Sequence, residues 1–377
     1  MKFSVSSTTL LNHLQAISKV IAGKPILPIL ENILFAVEDG VLTATASDRE
    51  ITMETKIALD SMEEPGRITV PSKILLDELR EFPEQPIRFD INTQTNEVRF
   101  FGDKGNYVIQ GDSAEDYPLP APFDEEMEEF EVASGLIYDG INKSIFATAD
   151  NDIRPVMSCI LVEIGSEGYT FVASDAHKLV KYQRKDYVSD KGDFSFILPK
   201  KPATLLRSVL AKDDTPLKLS FGPKTASFVF ANYRMTATLV EGRFPNYNSV
   251  IPHNNNRRLI VEKKELYGSL KRVAIVANQA SNLVKFSIRD GEMKISAQNI
   301  DYAMSGQETI SCQYNDEPLV IGFKSSFVLE ILSNIDTENV IVDFADSALP
   351  GLFMPEVDNT EEEEMLMLLM PMQLPEE

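Results

Sequence analysis

An α+β fold written in three tandem copies is what this sequence predicts, and three repeated features predict it: a hairpin, a strand-to-helix junction, and an opening strand and helix. The hairpins are Val37 to Asp48, Glu163 to Asp175 and Ile288 to Asn299. Each has a glycine turn followed by apolar residues at every second position, the pattern of adjacent antiparallel strands. Their ends, Asp48, Asp175 and Asn299, stand 127 and 124 positions apart. The junctions keep the same step: Val70-Pro71-Ser72-Lys73, Leu198-Pro199-Lys200-Lys201 and Gly322-Phe323-Lys324-Ser325 each close a strand and open an amphipathic helix. Two independent landmarks at one period mark an internal repeat.

The opening helices are expected at Thr8 to Val20, Ser134 to Ala149 and Lys263 to Asn278. In the first, Leu10, Leu14, Ile17 and Ile21 recur at helical spacing, with Thr8 or Thr9 placed to cap the start. Each copy therefore reads strand, helix, strands, helix, strands. A chain of 377 residues exceeds the usual domain of about 100–200 residues. The joins fall near the acidic, proline-bearing stretch Pro122 to Glu131 and the asparagine-rich stretch Pro252 to Arg257. Domains are expected at 1–127, 128–253 and 254–377.

The net charge is −22, and only two cysteines occur, Cys159 and Cys312. No disulfide framework or paired-cysteine metal site can be drawn, which suits a reducing compartment. The start has no apolar signal region, and no run approaches the roughly 18 apolar residues of a membrane helix. A cytoplasmic protein without a membrane partner is expected. Such acidity argues at face value against nucleic acid. The charge is unevenly spread, however. The six expected helices, residues 8–20, 71–82, 134–149, 199–212, 263–278 and 323–334, hold 13 Lys or Arg and 6 Asp or Glu, a net of +7. Everything else sums to −29. Phosphate binding depends on local cation density and the release of counterions, so basic helices on an acidic frame are compatible with a DNA partner. Exposed lysines on good helix formers are the simpler explanation for any one helix.

The sequence resembles the bacterial sliding clamp family, the β subunit of DNA polymerase III. The likeness runs from Met1-Lys2-Phe3 and Gly23-Lys24-Pro25-Ile26-Leu27-Pro28-Ile29-Leu30 through Ser174-Asp175-Ala176-His177-Lys178-Leu179 and Glu241-Gly242-Arg243-Phe244-Pro245-Asn246-Tyr247 to Met370-Pro371-Met372-Gln373-Leu374. It implies a head-to-tail homodimer closing a ring around double-stranded DNA, with helices lining the channel and antiparallel sheets outside. Contacts to phosphates carry no base readout, so such a link is sequence-independent and topological. The DNA contacts implied are Lys24, Lys73, Arg80, Asn151, Lys200 and Lys201. A peptide-binding pocket for DNA polymerase III core, clamp loader and other partners is implied at Met157, Ser174, Ala176, His177, Lys178, Leu179, Pro245, Val250, Phe327, Met370, Pro371, Met372 and Leu374. Methionine and proline suit an adaptable apolar groove. The ring joint implied is an edge strand of the first domain carrying Tyr107 and Ile109 meeting the third domain of the partner chain near Ile275 and Val276. Four departures stand out: Ala176 where the family commonly has Gly, Asn246 where Asp is common, Pro155-Val156 at a place where the family also has aromatic residues, and a tail, Pro375-Glu376-Glu377, beyond Leu374.

No catalytic constellation accompanies these features. His13, His177 and His253 lie in no metal-binding spacing, and Gly222-Pro223-Lys224-Thr225 lacks the glycine and the Gly-Lys step of a phosphate loop. The expectation is a non-catalytic processivity factor with no cofactor and no metal. Two other classes stay open at this point: a peptide-binding adaptor that never encircles DNA, and a hydrolase built on Asp175 and His177.

Overall fold

The computed structural model describes residues 1–21, 23, 25, 27–118, 127–150, 154–357 and 362–374. Lys24, Asn151 and the tail after Leu374 lie outside the described residues. The first copy opens with β1 (Lys2–Ser6) and α1 (Ser7–Ser18), then β2 (Asn32–Glu38), β3 (Val41–Ser47), β4 (Ile51–Ala58), β5 (Ser61–Glu64) and β6 (Gly66–Pro71). It closes with α2 (Ser72–Glu81), β7 (Pro86–Asn92), β8 (Glu97–Phe101) and β9 (Asn106–Gln110). The second runs β10 (Glu128–Ala133), α3 (Ser134–Ser144), β11 (Cys159–Gly165), β12 (Gly168–Ser174), β13 (Lys178–Arg184), β14 (Phe194–Pro199), α4 (Lys200–Val209), β15 (Pro216–Phe221), β16 (Thr225–Phe230) and β17 (Tyr233–Thr238). The third runs β18 (Arg257–Glu262), α5 (Lys263–Ala274), β19 (Leu283–Arg289), β20 (Glu292–Asn299), β21 (Met304–Ser311), β22 (Leu319–Lys324), α6 (Ser325–Ser333), β23 (Asn339–Phe344), β24 (Gly351–Pro355) and β25 (Glu363–Leu369). All three repeated landmarks are therefore real elements in register with one another.

The recurring aspartate has a physical cause. Asp48 Oδ1 accepts from the Glu50 and Ile51 N–H groups at 3.0 and 2.7 Å, and Asp175 Oδ1 accepts from those of His177 and Lys178 at 2.9 and 2.8 Å. Each carboxylate replaces a backbone acceptor in a tight turn. The following residues, Arg49 and Ala176, are both left-handed, at φ 83° and 75°. A glycine would adopt that conformation without a Cβ penalty, so Ala176 holds a strained position. The third copy departs, passing from Asn299 through a short 3₁₀ turn to Ala303 at φ 50°.

The helices end earlier than their apolar period suggests. The run expected to reach Ala149 stops as α-helix at Ser144 and tightens to 3₁₀ over Ile145–Ala147. After α5, Ile275, Val276 and Ala277 donate to carbonyls three residues back. The cap of α1 is Ser6, whose Oγ accepts from Thr9 N–H at 3.1 Å, rather than Thr8 or Thr9. Leu10, Leu14 and Ile17 are buried as the spacing requires.

The chain divides into two compact units, Met1–Tyr138 with Thr204–Glu241, and Asp139–Ala203 with Gly242–Glu377. In the first, a five-stranded antiparallel sheet runs β5-β1-β7-β8-β9 and an eight-stranded one runs β10-β15-β16-β17-β4-β3-β2-β6. Its helix layer includes α1 packed on α2. In the second, the sheets run β14-β11-β12-β13-β25-β24-β23-β18 and β21-β20-β19-β22, with α5 packed on α6. Strands of neighbouring copies pair within each eight-stranded sheet, Tyr233 opposite Thr55 in one and Lys178 opposite Leu369 in the other. The second copy is thus shared between the two units. Strands facing helices alternate buried and solvated residues, as in β19 and β20, because one face meets the core. Among the described residues no helix is long and apolar enough to cross a membrane.

Candidate functional site

The helix bounds narrow the basic character found in the sequence. α4 carries Lys200, Lys201 and Arg207 with no acid, and α5 carries Lys263, Lys264, Lys271 and Arg272 with Glu265 alone. α2 has Lys73 and Arg80 against Asp77, Glu78 and Glu81, α6 has only Glu330, and α1 has no charge. Cationic density therefore belongs to α4 and α5. In both, a lysine pair occupies the first turn, where the helix dipole favours acids. That placement opposes helix stability; in α5 the Lys263 ammonium is taken up by the Ile335 carbonyl at 2.7 Å, whereas the pair on α4 suits an anion delivered from outside.

Lys73 and Arg80 lie seven residues apart on the exposed side of α2, while Leu75, Leu76 and Leu79 are buried beneath. Arg80 is tied to Asp77 at 2.6 Å. Lys201 is exposed, and Lys200 Nζ meets Asp150 Oδ1 at 2.5 Å, which holds the Asp150 carboxyl below its usual range. An exposed pair of this kind adds little stability.

The peptide-pocket residues are distributed over one unit. Ser174 Oγ donates to the Lys178 carbonyl at 2.8 Å and accepts from Ala176 N–H at 3.2 Å, closing the turn that presents Ala176 and His177 to solvent. Lys178 turns inward and is 5 % exposed. Its Nζ lies 2.9 Å from both Asp175 Oδ2 and Glu330 Oε2 and 4.4 Å from the Phe327 ring centre. Burial pushes its ammonium down, but the two carboxylates outweigh that and hold it above the ordinary lysine value. Lys324 covers Phe327 at 4.5 Å, and the His177 ring stacks on it at 5.9 Å. Phe327 is thus the centre of a cluster joining the β12–β13 turn to α6.

The C-terminal segment completes this cluster. Leu179 pairs with Leu368, and Met370 N–H donates to the His177 carbonyl at 2.9 Å. Pro371 is half-buried between them and the next contact. Met372 N–H donates to the Gly322 carbonyl at 2.8 Å, and Leu374 lies so close that a Cβ at Gly322 would stand 2.8 Å from its Cδ2. Met157 is buried beside β11, and Val156 lies against Gly242, which is at φ 141°. Pro245 and Val250 are exposed on either side of Tyr247, whose O–H donates to Glu163 Oε2 at 2.6 Å. The structure joins His177, Lys178, Phe327 and the Met370–Leu374 segment directly. Pro245 and Val250 sit on a separately anchored turn. Sequence reasoning missed Glu330 and Lys324, for which a lone acid within a short helix and a lone cation at its N-cap gave no signal.

Tyr107 and Ile109 lie on β9, the outer strand of its sheet, half-buried toward Phe82 and Phe100. Ile275 is 78 % exposed and Val276 half-buried, beside the opposite kind of edge, β21. Ile300, Tyr302 and Met304 extend that exposed apolar patch. Lone exposed apolar residues are ordinary, and a cluster beside the edge strand β21 is the kind of surface that strand pairing covers.

The hydrolase alternative loses its geometry here. The Asp175 carboxylate is engaged by two backbone N–H groups and by Lys178, not by the His177 ring. Burial pushes the Cys159 and Cys312 thiols up to about 11, far from a thiolate nucleophile. Among the described residues no group of three or more His, Cys, Asp or Glu is arranged to hold a metal.

Family models described as the DNA polymerase III beta subunit match the chain in order: the N-terminal domain at residues 1–121, the central domain at 131–246 and the C-terminal domain at 248–373. The beta sliding clamp of Vibrio cholerae is 27 % identical over 374 residues, and that of Escherichia coli K12 is 29 % identical over 375, each spanning 99 % of this chain and 100 % of the relative. The solved DNA polymerase sliding clamp from Pseudomonas aeruginosa superposes with a TM-score of 0.93 at 26 % identity, covering 99 % of this chain and 100 % of its own. A second structure from that species, bound to griselimycin, gives 0.92 at 26 % identity over the same shares.

Proposed function

Since this chain belongs to the DNA polymerase III beta subunit family and is a DNA clamp of replication, a processivity factor without catalysis, we propose that two copies close head to tail around duplex DNA. The order of three family matches along the whole chain is the observation that carries this reading. Each copy contributes domains at 1–127, 128–253 and 254–377. The channel wall includes Lys24, Lys73, Arg80, Asn151, Lys200 and Lys201, which meet phosphates and leave base edges unread. The lysine pair on the first turn of α4 supports that assignment, because helix stability alone disfavours it there.

The joint pairs β9 of one copy with β21 of the other. Tyr107 and Ile109 then meet Ile275 and Val276, and Ile300, Tyr302 and Met304 are covered with them. Two such joints related by a twofold axis close the ring. The cluster around Phe327 and Met370–Leu374, with Met157, Pro245 and Val250, receives short segments of DNA polymerase III core, clamp loader and other partners. Griselimycin, bound in a Pseudomonas aeruginosa clamp structure, is expected to occupy the same groove. The protein works in the cytoplasm and needs no metal or cofactor. Mass measurement in solution at micromolar concentration should give twice the mass of one chain; a monomer would remove the ring.

A further inference from the structure

Successive copies within the chain are joined strand to strand, β4 with β17 and β13 with β25, and both joints keep one register. The repeat supplies the ruler. In the hairpin that enters each joint, Ala46 stands opposite Met53, Ala173 opposite Val180 and Ala297 opposite Gly306. In the hairpin that closes each copy, a buried phenylalanine marks the matching position: Phe100 opposite Tyr107, Phe228 opposite Met235 and Phe353 opposite Met367. Across the two joints Met53 faces Met235 and Val180 faces Met367. The backbone agrees. Thr238, three residues beyond Met235, donates its N–H to the carbonyl of Glu50, three before Met53, at 2.8 Å. Met370 and His177 stand in the same places in the other joint and bond in the same way at 2.9 Å. The matching strands of the first and third copies are β9 and β21, each outermost in its sheet.

We propose that the joint between subunits repeats this register, so that Tyr107 of one chain faces Gly306 of the partner subunit. Val108 then faces the partner's Ser305, Ile109 faces the partner's Met304, and Gln110 N–H donates to the carbonyl of the partner's Ala303. The inference rests on the β9–β21 ring joint proposed above. What sets this joint apart is how the core-facing column is filled. Two side chains share it in each internal joint, and Met53, Met235, Val180 and Met367 are all 0 % exposed. Gly306 supplies no side chain, and Val276 leans over it so closely that a Cβ would stand 2.8 Å from Val276 Cγ2. Tyr107 supplies the largest, a ring held by Phe100 at 5.2 Å and Phe82 at 5.3 Å. An aromatic ring laid across a glycine of the neighbouring strand covers backbone that the glycine leaves bare. Slipping the pairing by one residue would turn Tyr107 to the solvent face, and slipping it by two would set the ring against Met304 or Glu308.

Val108 and Ser305 are both exposed on the outer face of their strands, so cross-linking can read the register. Directly opposed Cβ atoms in a strand pair stand about 4.5–5.5 Å apart and diagonal ones about 7–8 Å, beyond the reach of a disulfide. Full-length Val108→Cys/Ser305→Cys, oxidised with diamide, should give covalently paired chains on a denaturing gel. Val108→Cys/Gln307→Cys should pair about tenfold more slowly or not at all, with wild type reporting the background from Cys159 and Cys312. Tyr107→Ala should raise the dissociation constant of the dimer about tenfold or more, as loss of a central aromatic anchor does. Equal cross-linking of the two double variants, or preference for Gln307, in a protein that is a dimer by solution mass would overturn the register and leave the ring standing. An unchanged dissociation constant in Tyr107→Ala would overturn the pairing of ring with glycine. A wild type that stays monomeric would refute the ring reading itself, and this joint with it.

Discussion

Lys178→Met removes one ammonium group and keeps most of the side-chain volume. In wild type that ammonium is 5 % exposed and bridges Asp175 and Glu330 at 2.9 Å each. Breaking a buried ion pair by removing one partner costs about 3–5 kcal/mol, because a charge is left behind without compensation. Here the cost is smaller for two reasons. Asp175 keeps its two backbone N–H donors, and Glu330, 40 % exposed, can turn to water. A loss of about 2–3 kcal/mol is expected once solvent screening of the exposed partner is allowed for. The bridge is also the polar link between the β12–β13 turn and α6, so the Phe327 cluster should loosen and groove ligands weaken. Urea denaturation followed by the midpoint of the transition reports the first effect, and griselimycin titration the second. A variant within about 0.5 kcal/mol of wild type, the range of an ordinary surface change, would refute the reasoning.

Four further outcomes are expected. Ala176→Gly should raise the urea midpoint, since left-handed backbone costs a residue with a Cβ about 1–2 kcal/mol; no rise would contradict the strain assigned to φ 75°. Gly140→Ala should lower it, because the added Cβ would enter the buried Phe171 ring, and overpacking of about 1–3 kcal/mol exceeds the helix gain of about 1 kcal/mol. Ile275→Asp should give a folded monomer in solution mass measurement, and a persistent dimer would place the joint elsewhere. Glu308 is held down at about 2 by its hydrogen bonds to Arg272 and then Ser269. A depressed carboxylate stabilises above its ordinary value of about 4.3 and loses that contribution as pH falls through the folded value. Arg272→Ala should return the NMR titration of Glu308 toward the ordinary value, and a titration still near 2 would exclude Arg272 as the cause.

What could be read in the sequence was whatever depends on local chemistry. Glycine turns, strand alternation and the paired aspartates of the first two copies fix hairpins within a dozen residues, so the repeat and its period were legible. Helix ends were not, because Ile145 and Ile275 continue the apolar period after the hydrogen bonding has tightened to three-residue turns. The groove was legible only through family resemblance. Phe327 and Lys178 are 149 positions apart, and nothing local says that a buried lysine will choose Glu330. Met304 opens β21 and Tyr302 precedes it in a short 3₁₀ turn, and only the order of strands shows that β21 is an edge.

Retention on DNA after assembly by a clamp loader tests the topological link most directly. Clamp on a nicked circular duplex should persist through a wash at high salt, which screens phosphate contacts but cannot open a ring. Cutting the same circle once should release the protein through the new ends. Equal retention on circular and linear duplex, or equal loss from both at high salt, would contradict encirclement and leave only ordinary electrostatic binding.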